Sequence, residues 1–147
     1  MQTYLARPQR PHVVLAAYAD WECAQAPPID EVFALAAEHP GCTLLIDTHC
    51  KVAPKLGVKR PTLLDWLPVA WVEDLCARAR EAEVKIALAG SLGSDEICAL
   101  SNARPDWFAV RGAVCDDADR RGAIDPQKVS ELVSLVRSFH VATTPVS

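Results

Sequence analysis

Four short apolar runs punctuate the chain, Val13 to Tyr18, Thr43 to Asp47, Val84 to Gly90 and Trp107 to Arg111, each closed by a polar residue or a glycine. Near-continuous apolarity, rather than strict alternation, is the pattern of strands covered on both faces. Between the runs the spacing changes from strand-like to helical. Val32, Leu35 and Ala36 follow the Pro27-Pro28-Ile29-Asp30 punctuation and end at His39-Pro40-Gly41. Val72, Leu75, Cys76 and Ala79 predict a helix over roughly Val69 to Glu83, and Ile97 and Leu100 predict another, with Ser94, Asp95 and Glu96 as its acidic start. Pro126 opens a last helix carrying Val129, Leu132, Val133 and Val136. Strand and helix thus alternate four times, without an Asn-Gly hairpin signal, which predicts an α/β fold of parallel strands joined by right-handed crossovers. Four such βα units form either a small open sheet or half of an eight-stranded barrel, and periodicity does not choose between them. Polar, proline-interrupted residues 1–12 read as a tail, 13–140 as the domain and 141–147 as a second tail. A Pro- and Lys-rich loop, unusually long for this class, runs from Val52 to Pro61.

The totals sharpen this picture only in part. Half of the 147 residues are apolar, enough for one domain with a real core. The formal net charge of −4 gives no overall attraction to nucleic acid or to an anionic membrane, so neither is expected as a partner. Six cysteines, at 23, 42, 50, 76, 98 and 115, form no Cys-x-x-Cys pair and fall in apolar or helical patterns, which predicts reduced thiols in a cytoplasmic protein. No apolar leader or membrane-length run is present.

Candidate chemistry gathers where the runs end, since α/β folds place ligands outside the carboxyl ends of their strands. The second run stops at Asp47, with Thr48 beside it and an amine, Lys51, four residues on. Asp20 closes the first run in the same way. Asp47 is either a proton-transfer group or the cap of the next turn; Lys51 is either a positioned amine or a solvated one. Gly90-Ser91 and Arg111-Gly112 end the third and fourth runs, where a glycine lets backbone N–H groups approach an anion such as phosphate; the alternative is that both glycines only relieve tight turns. Lys55, Lys59 and Arg60 add cations to Lys51, suiting a phosphorylated substrate or a solvated loop equally. Asp116, Asp117 and Asp119 lack a liganding pattern, and Cys23, His49, Cys50 and Cys115 match no zinc spacing, so no metal and no cofactor is expected. The glycine-rich nucleotide loops and the serine elbow are absent from the sequence.

Four blocks carry a family likeness: Ile46-Asp47-Thr48 with Lys51, Leu63-Leu64-Asp65, Ala87-Leu88-Ala89-Gly90-Ser91-Leu92, and Val110-Arg111-Gly112-Ala113-Val114-Cys115. With Tyr18-Ala19-Asp20, Asp119-Arg120 and Gly122, they resemble the (5-formylfuran-3-yl)methyl phosphate synthases. The resemblance implies a TIM barrel that joins two molecules of glyceraldehyde 3-phosphate into a furan aldehyde phosphate, for methanofuran-type C1 cofactors, through a lysine Schiff base. It covers the C-terminal half of that barrel only. The Schiff-base lysine and a second essential lysine of the family lie in the other half and map onto no residue here. By this resemblance Asp47 and Lys51 transfer protons, and Gly90, Ser91, Arg111 and Gly112 hold substrate phosphate. The segment after Lys51 departs from the family pattern. The implied partner is an N-terminal half-barrel or a second copy of the chain. A catalytically inactive phosphate-binding remnant and a closed four-stranded structural domain are the alternatives.

Overall fold

The computed structural model describes residues 12–50, 60–116 and 121–141, and Lys51, Lys55, Lys59, Asp117, Asp119 and Arg120 lie outside them. Four strands, β1 (Val14–Tyr18), β2 (Thr43–Asp47), β3 (Lys85–Leu88) and β4 (Trp107–Phe108), form one sheet in the order β1-β2-β3-β4. Every neighbouring pair is parallel. The connections carry α1 (Trp21–Ala24), α2 (Ile29–Ala37), α3 (Val69–Glu81) and α4 (Ser94–Ala99), and α5 (Pro126–Val141) follows β4.

The core lies on one face of this sheet. Ala17, Leu44, Ile46, Ile86 and Leu88 point to the side where Ile29, Phe33 and Ala36 of α2, Val72, Leu75, Cys76 and Ala79 of α3, and Ile97 of α4 are buried. Leu44, Ile46, Ile86 and Leu88 are almost wholly removed from water, worth about 2 kcal/mol each by apolar transfer. The helices end as their sequences dictate. Pro28 and Pro68 precede α2 and α3, where a missing N–H costs nothing. The Glu96 carboxylate accepts the Gly93 N–H at 2.8 Å ahead of α4. Arg78 ties α3 to α2: its guanidinium donates to Asp30 at 3.1 and 3.2 Å and lies 4.6 Å over the Phe33 ring.

The other face is open among the described residues, contrary to the burial on both sides that the apolar runs predict. One rung of the register joins Ala16, Leu45, Ala87 and Trp107 across all four strands. Ala16 and Trp107 are exposed and Leu45 and Ala87 half-buried; two residues along on the same face Val14 is 53% exposed, although its register partner Thr43 is buried. An all-parallel sheet is almost always covered on both faces.

Two element boundaries differ from expectation. The fourth strand is two residues long and does not reach Arg111, because the chain leaves the ladder after the Ala109 N–H donates to the Leu88 carbonyl at 2.8 Å and turns into a 3-10 turn over Gly112–Val114. A side chain reinforces this short edge: Asp106 accepts the Ile86 N–H at 2.8 Å and pairs with Lys85 at 2.9 Å. The one-turn helix α1 has no periodicity long enough to register in the sequence. No helix among the described residues is long and apolar enough to cross a membrane.

Candidate functional site

Parallel pairing in register brings the ends of the apolar runs to one edge. Tyr18 is opposite Asp47, the Asp47 carbonyl accepts the Ala19 N–H at 2.8 Å, and the Ile46 carbonyl accepts the Ala89 N–H at 2.8 Å. Asp20, Asp47, Thr48, Gly90 and Ser91 therefore share the carboxyl edge of the sheet, and Arg111 and Gly112 follow the end of β4.

Asp47 and Asp20 play different parts there. Asp47 is half-buried, and its carboxylate accepts the Thr48 N–H at 2.7 Å. It lies on the same face as the open rung, two residues along from Leu45, so its carboxylate remains reachable from that side. Asp20, by contrast, is 3% exposed, and both its oxygens are engaged: one accepts the His49 N–H at 2.8 Å, the other the Cys50 N–H at 2.6 Å. A short apolar strand ending in a buried aspartate thus clamps the loop that follows its neighbour. The Tyr18 ring meets His49 edge-on at 5.7 Å, adding to the same joint.

The Gly90 turn is shaped by packing. Gly90 has φ +98, and a Cβ there would stand 2.9 Å from Thr48 Cγ2 and 3.3 Å from Leu63 Cβ. The Gly90 carbonyl accepts the Leu63 N–H at 2.8 Å, so Thr48 and Leu63 close over the turn from two sides. Ser91 follows at φ 55, an uncommon left-handed conformation, and is exposed. Leu63-Leu64-Asp65 forms a 3-10 turn whose Asp65 carboxylate accepts the Thr62 N–H at 2.6 Å, a cap that occupies Asp65 locally. Arg111 is exposed and precedes the half-buried Gly112.

The cysteine expectation needs correction. Cys23 and Cys50 are joined in a disulfide, with Cα atoms 6.7 Å apart and a sequence separation of 27. The sequence offered no close spacing to announce it; the parallel β1–β2 register, which aligns Tyr18 with Asp47, is what brings the two loops together. With Asp20 they form the one cluster of three potential metal ligands among the described residues, ligand atoms within 4.8 Å of one another, and it includes neither His49 nor Cys115. Cys42, Cys76 and Cys115 are buried as free thiols and Cys98 is an exposed one. Burial pushes the Cys76 thiol up to about 11, with Asp106 and Glu73 adding to the shift and Arg80 opposing it.

The fold and this edge define an α/β protein with an all-parallel sheet and ionisable groups gathered at its strand ends. The family model described as 4-HFC-P synthase matches residues 2–133. The (5-formylfuran-3-yl)methyl phosphate synthase of Methanothermobacter thermautotrophicus is 33% identical over 128 residues, covering 86% of this chain and 51% of that protein. Its namesake in Methanococcus aeolicus is 33% identical over 126 residues, 84% of this chain and 50% of that protein. A protein of Methylorubrum extorquens with the name "Putative (5-formylfuran-3-yl)methyl phosphate synthase" is 32% identical over 82 residues, 56% of this chain and 35% of that protein. The chain belongs to the 4-HFC-P synthase family, and it spans about half the length of the two archaeal relatives.

Proposed function

We propose that this chain supplies the C-terminal four βα units of a TIM-barrel (5-formylfuran-3-yl)methyl phosphate synthase, condensing two glyceraldehyde 3-phosphate molecules only when an N-terminal half-barrel covers its open face. The observation that carries this is the rung Ala16, Leu45, Ala87 and Trp107: an apolar face of a parallel sheet that the described residues leave exposed at Ala16 and Trp107 and only half-covered at Leu45 and Ala87, in a family whose named members are twice as long. In the completed barrel that face is the interior, and the carboxyl edge bearing Asp47 is the catalytic mouth.

Within the mouth, Asp47 is the proton-transfer group of this half, reachable from the barrel interior and fixed at its base by the Thr48 N–H. Lys51, its companion in that role, lies outside the described residues. Backbone N–H groups of the Gly90-Ser91 and Arg111-Gly112 turns, with the Arg111 guanidinium, hold substrate phosphate. The electrophilic step, a Schiff base between a lysine and a substrate aldehyde, belongs to the N-terminal half.

Borohydride trapping tests this reading. The chain is incubated with glyceraldehyde 3-phosphate and borohydride, alone and with the N-terminal half of a full-length relative, and intact masses are measured. The expected result is no adduct on this chain alone, an adduct on the added half, and furan product only in the mixture. Adduct on this chain alone would overturn the assignment of the electrophilic lysine. An absence of product from a mixture in which both halves demonstrably associate, with phosphate binding retained, would leave a catalytically inactive phosphate-binding domain.

A further inference from the structure

The Cys23–Cys50 pair stands apart from the other cysteines, and nothing in the proposed chemistry uses it. Its two residues sit on different loops: Cys23 on α1 after β1, Cys50 three residues beyond the end of β2. Cys23 is exposed and Cys50 half-buried, so the pair lies at the surface of the domain rather than in its core. Asp20 makes a second, non-covalent link between the same loops, holding the backbone of Cys50 by its own N–H at 2.6 Å and that of His49 at 2.8 Å. The disulfide is thus laid across a joint that another interaction already positions.

We propose that Cys23 and Cys50 form a reversible dithiol–disulfide site that exchanges with low-molecular-weight disulfides of the glutathione class, Asp20 keeping the reduced thiols in bonding register. Two physical points support it. A bond carrying the whole connection would let the loops separate on reduction, whereas here Cys50 stays anchored through its main chain, so re-closure is an intramolecular event between positioned groups. Exposed disulfides are also the ones open to exchange, because access to a sulfur is a condition of attack.

Oxidation begins when the Cys23 thiol, as thiolate, attacks one sulfur of the small disulfide. The S–S bond of that molecule breaks, and its departing thiolate takes up the proton that Cys23 lost. The Cys50 thiol then loses its proton and displaces the second small thiol from Cys23, forming the protein disulfide. One small disulfide becomes two small thiols, and the protein gives up two electrons and two protons. Reduction is the same sequence reversed. This site stands on its own geometry and holds whether or not the synthase reading is correct.

The test equilibrates the full chain in glutathione buffers of varied ratio, quenches with acid, alkylates free thiols and maps them by mass. The expected outcome is that Cys23 and Cys50 convert together between the bonded and doubly alkylated states, reversibly and without loss of the native circular dichroism, while Cys42, Cys76 and Cys115 stay reduced. Cys50→Ser, which cannot close the ring, should accumulate glutathione on Cys23. Asp20→Ala, compared under the same buffer, should re-form the bond roughly tenfold more slowly, the cost of lost positioning. A pair that stays reduced in folded protein at every ratio, or a bond that opens only on unfolding, overturns the proposal. So does Cys50→Ser that takes up no glutathione at Cys23, a readout that stands even if the Asp20 variant fails to fold.

Discussion

Replacing Gly90 with alanine probes the tightest point of the strand-end edge. An added Cβ would lie 2.9 Å from Thr48 Cγ2 and 3.3 Å from Leu63 Cβ, in a residue held at φ +98. Forcing a side chain into that backbone conformation costs about 1–2 kcal/mol. Inserting a methyl against two packed neighbours costs about 1–2 kcal/mol more, at the lower end of what overpacking exacts. The sum, about 2–4 kcal/mol, should lower the urea midpoint of unfolding by roughly 1–2 M if the slope is near 2 kcal/mol/M. The two contributions are separable. Thr48→Ser removes Cγ2 and keeps the hydroxyl, so in its background Gly90→Ala should recover about 1 kcal/mol, the share that comes from that one contact, while the backbone share persists. A Gly90→Ala protein within 0.5 kcal/mol of the parent, or a double variant showing no coupling, would refute the account of this turn as a packing-limited close approach.

Other outcomes follow from the same geometry. Asp20→Ala leaves the part-buried His49 and Cys50 N–H groups without their charged acceptor, and reduced protein should lose about 2–4 kcal/mol in urea unfolding. Cys23→Ser removes a link across 27 residues of sequence, and under non-reducing conditions should lower stability by about 3–4 kcal/mol on the chain-entropy scale, a loss that reducing agent should reproduce in the parent. Burial holds Cys76 in its neutral form, so the native thiol keeps its proton where the unfolded chain loses it. Stability from that group is therefore complete below pH 9 and falls by about 3 kcal/mol as pH rises to about 11, a slope that Cys76→Ala should lack in paired denaturation series. Arg78→Lys keeps the charge but not the two-pronged contact with Asp30 or the stacking on Phe33, and should cost about 0.5–1 kcal/mol at this partly exposed site.

What could be read in the sequence was whatever depends on local pattern. The Thr43 to Asp47 run and the starts of α3, α4 and α5 are each marked by apolar spacing, a proline or an acidic first turn, and the structure places them there. The rest depended on neighbours the pattern does not encode. β4 stops at Phe108 although apolar residues continue to Val110, because an edge with one partner ends where its ladder partner ends. Asp20 and Asp47 look alike in sequence, each closing an apolar run, yet one is sealed by two N–H donors and the other remains half-open. Only the register of β1 against β2 distinguishes them. The same register makes the Cys23–Cys50 bond, which no spacing rule would find.

The rung of Ala16, Leu45, Ala87 and Trp107 is also a template in relief. Its heights alternate, methyl, isobutyl, methyl, indole, so whatever settles on the open sheet meets two hollows and two ridges rather than a plane. A complementary layer must carry bulk above Ala16 and Ala87 and recede at Leu45 and Trp107. A mate with the profile displaced by one strand would set ridge against ridge. Under the proposed half-barrel pairing these small and large residues form a keying surface, and substitutions at Ala16 or Ala87 that fill a hollow should weaken association with that half before they change whether this chain folds.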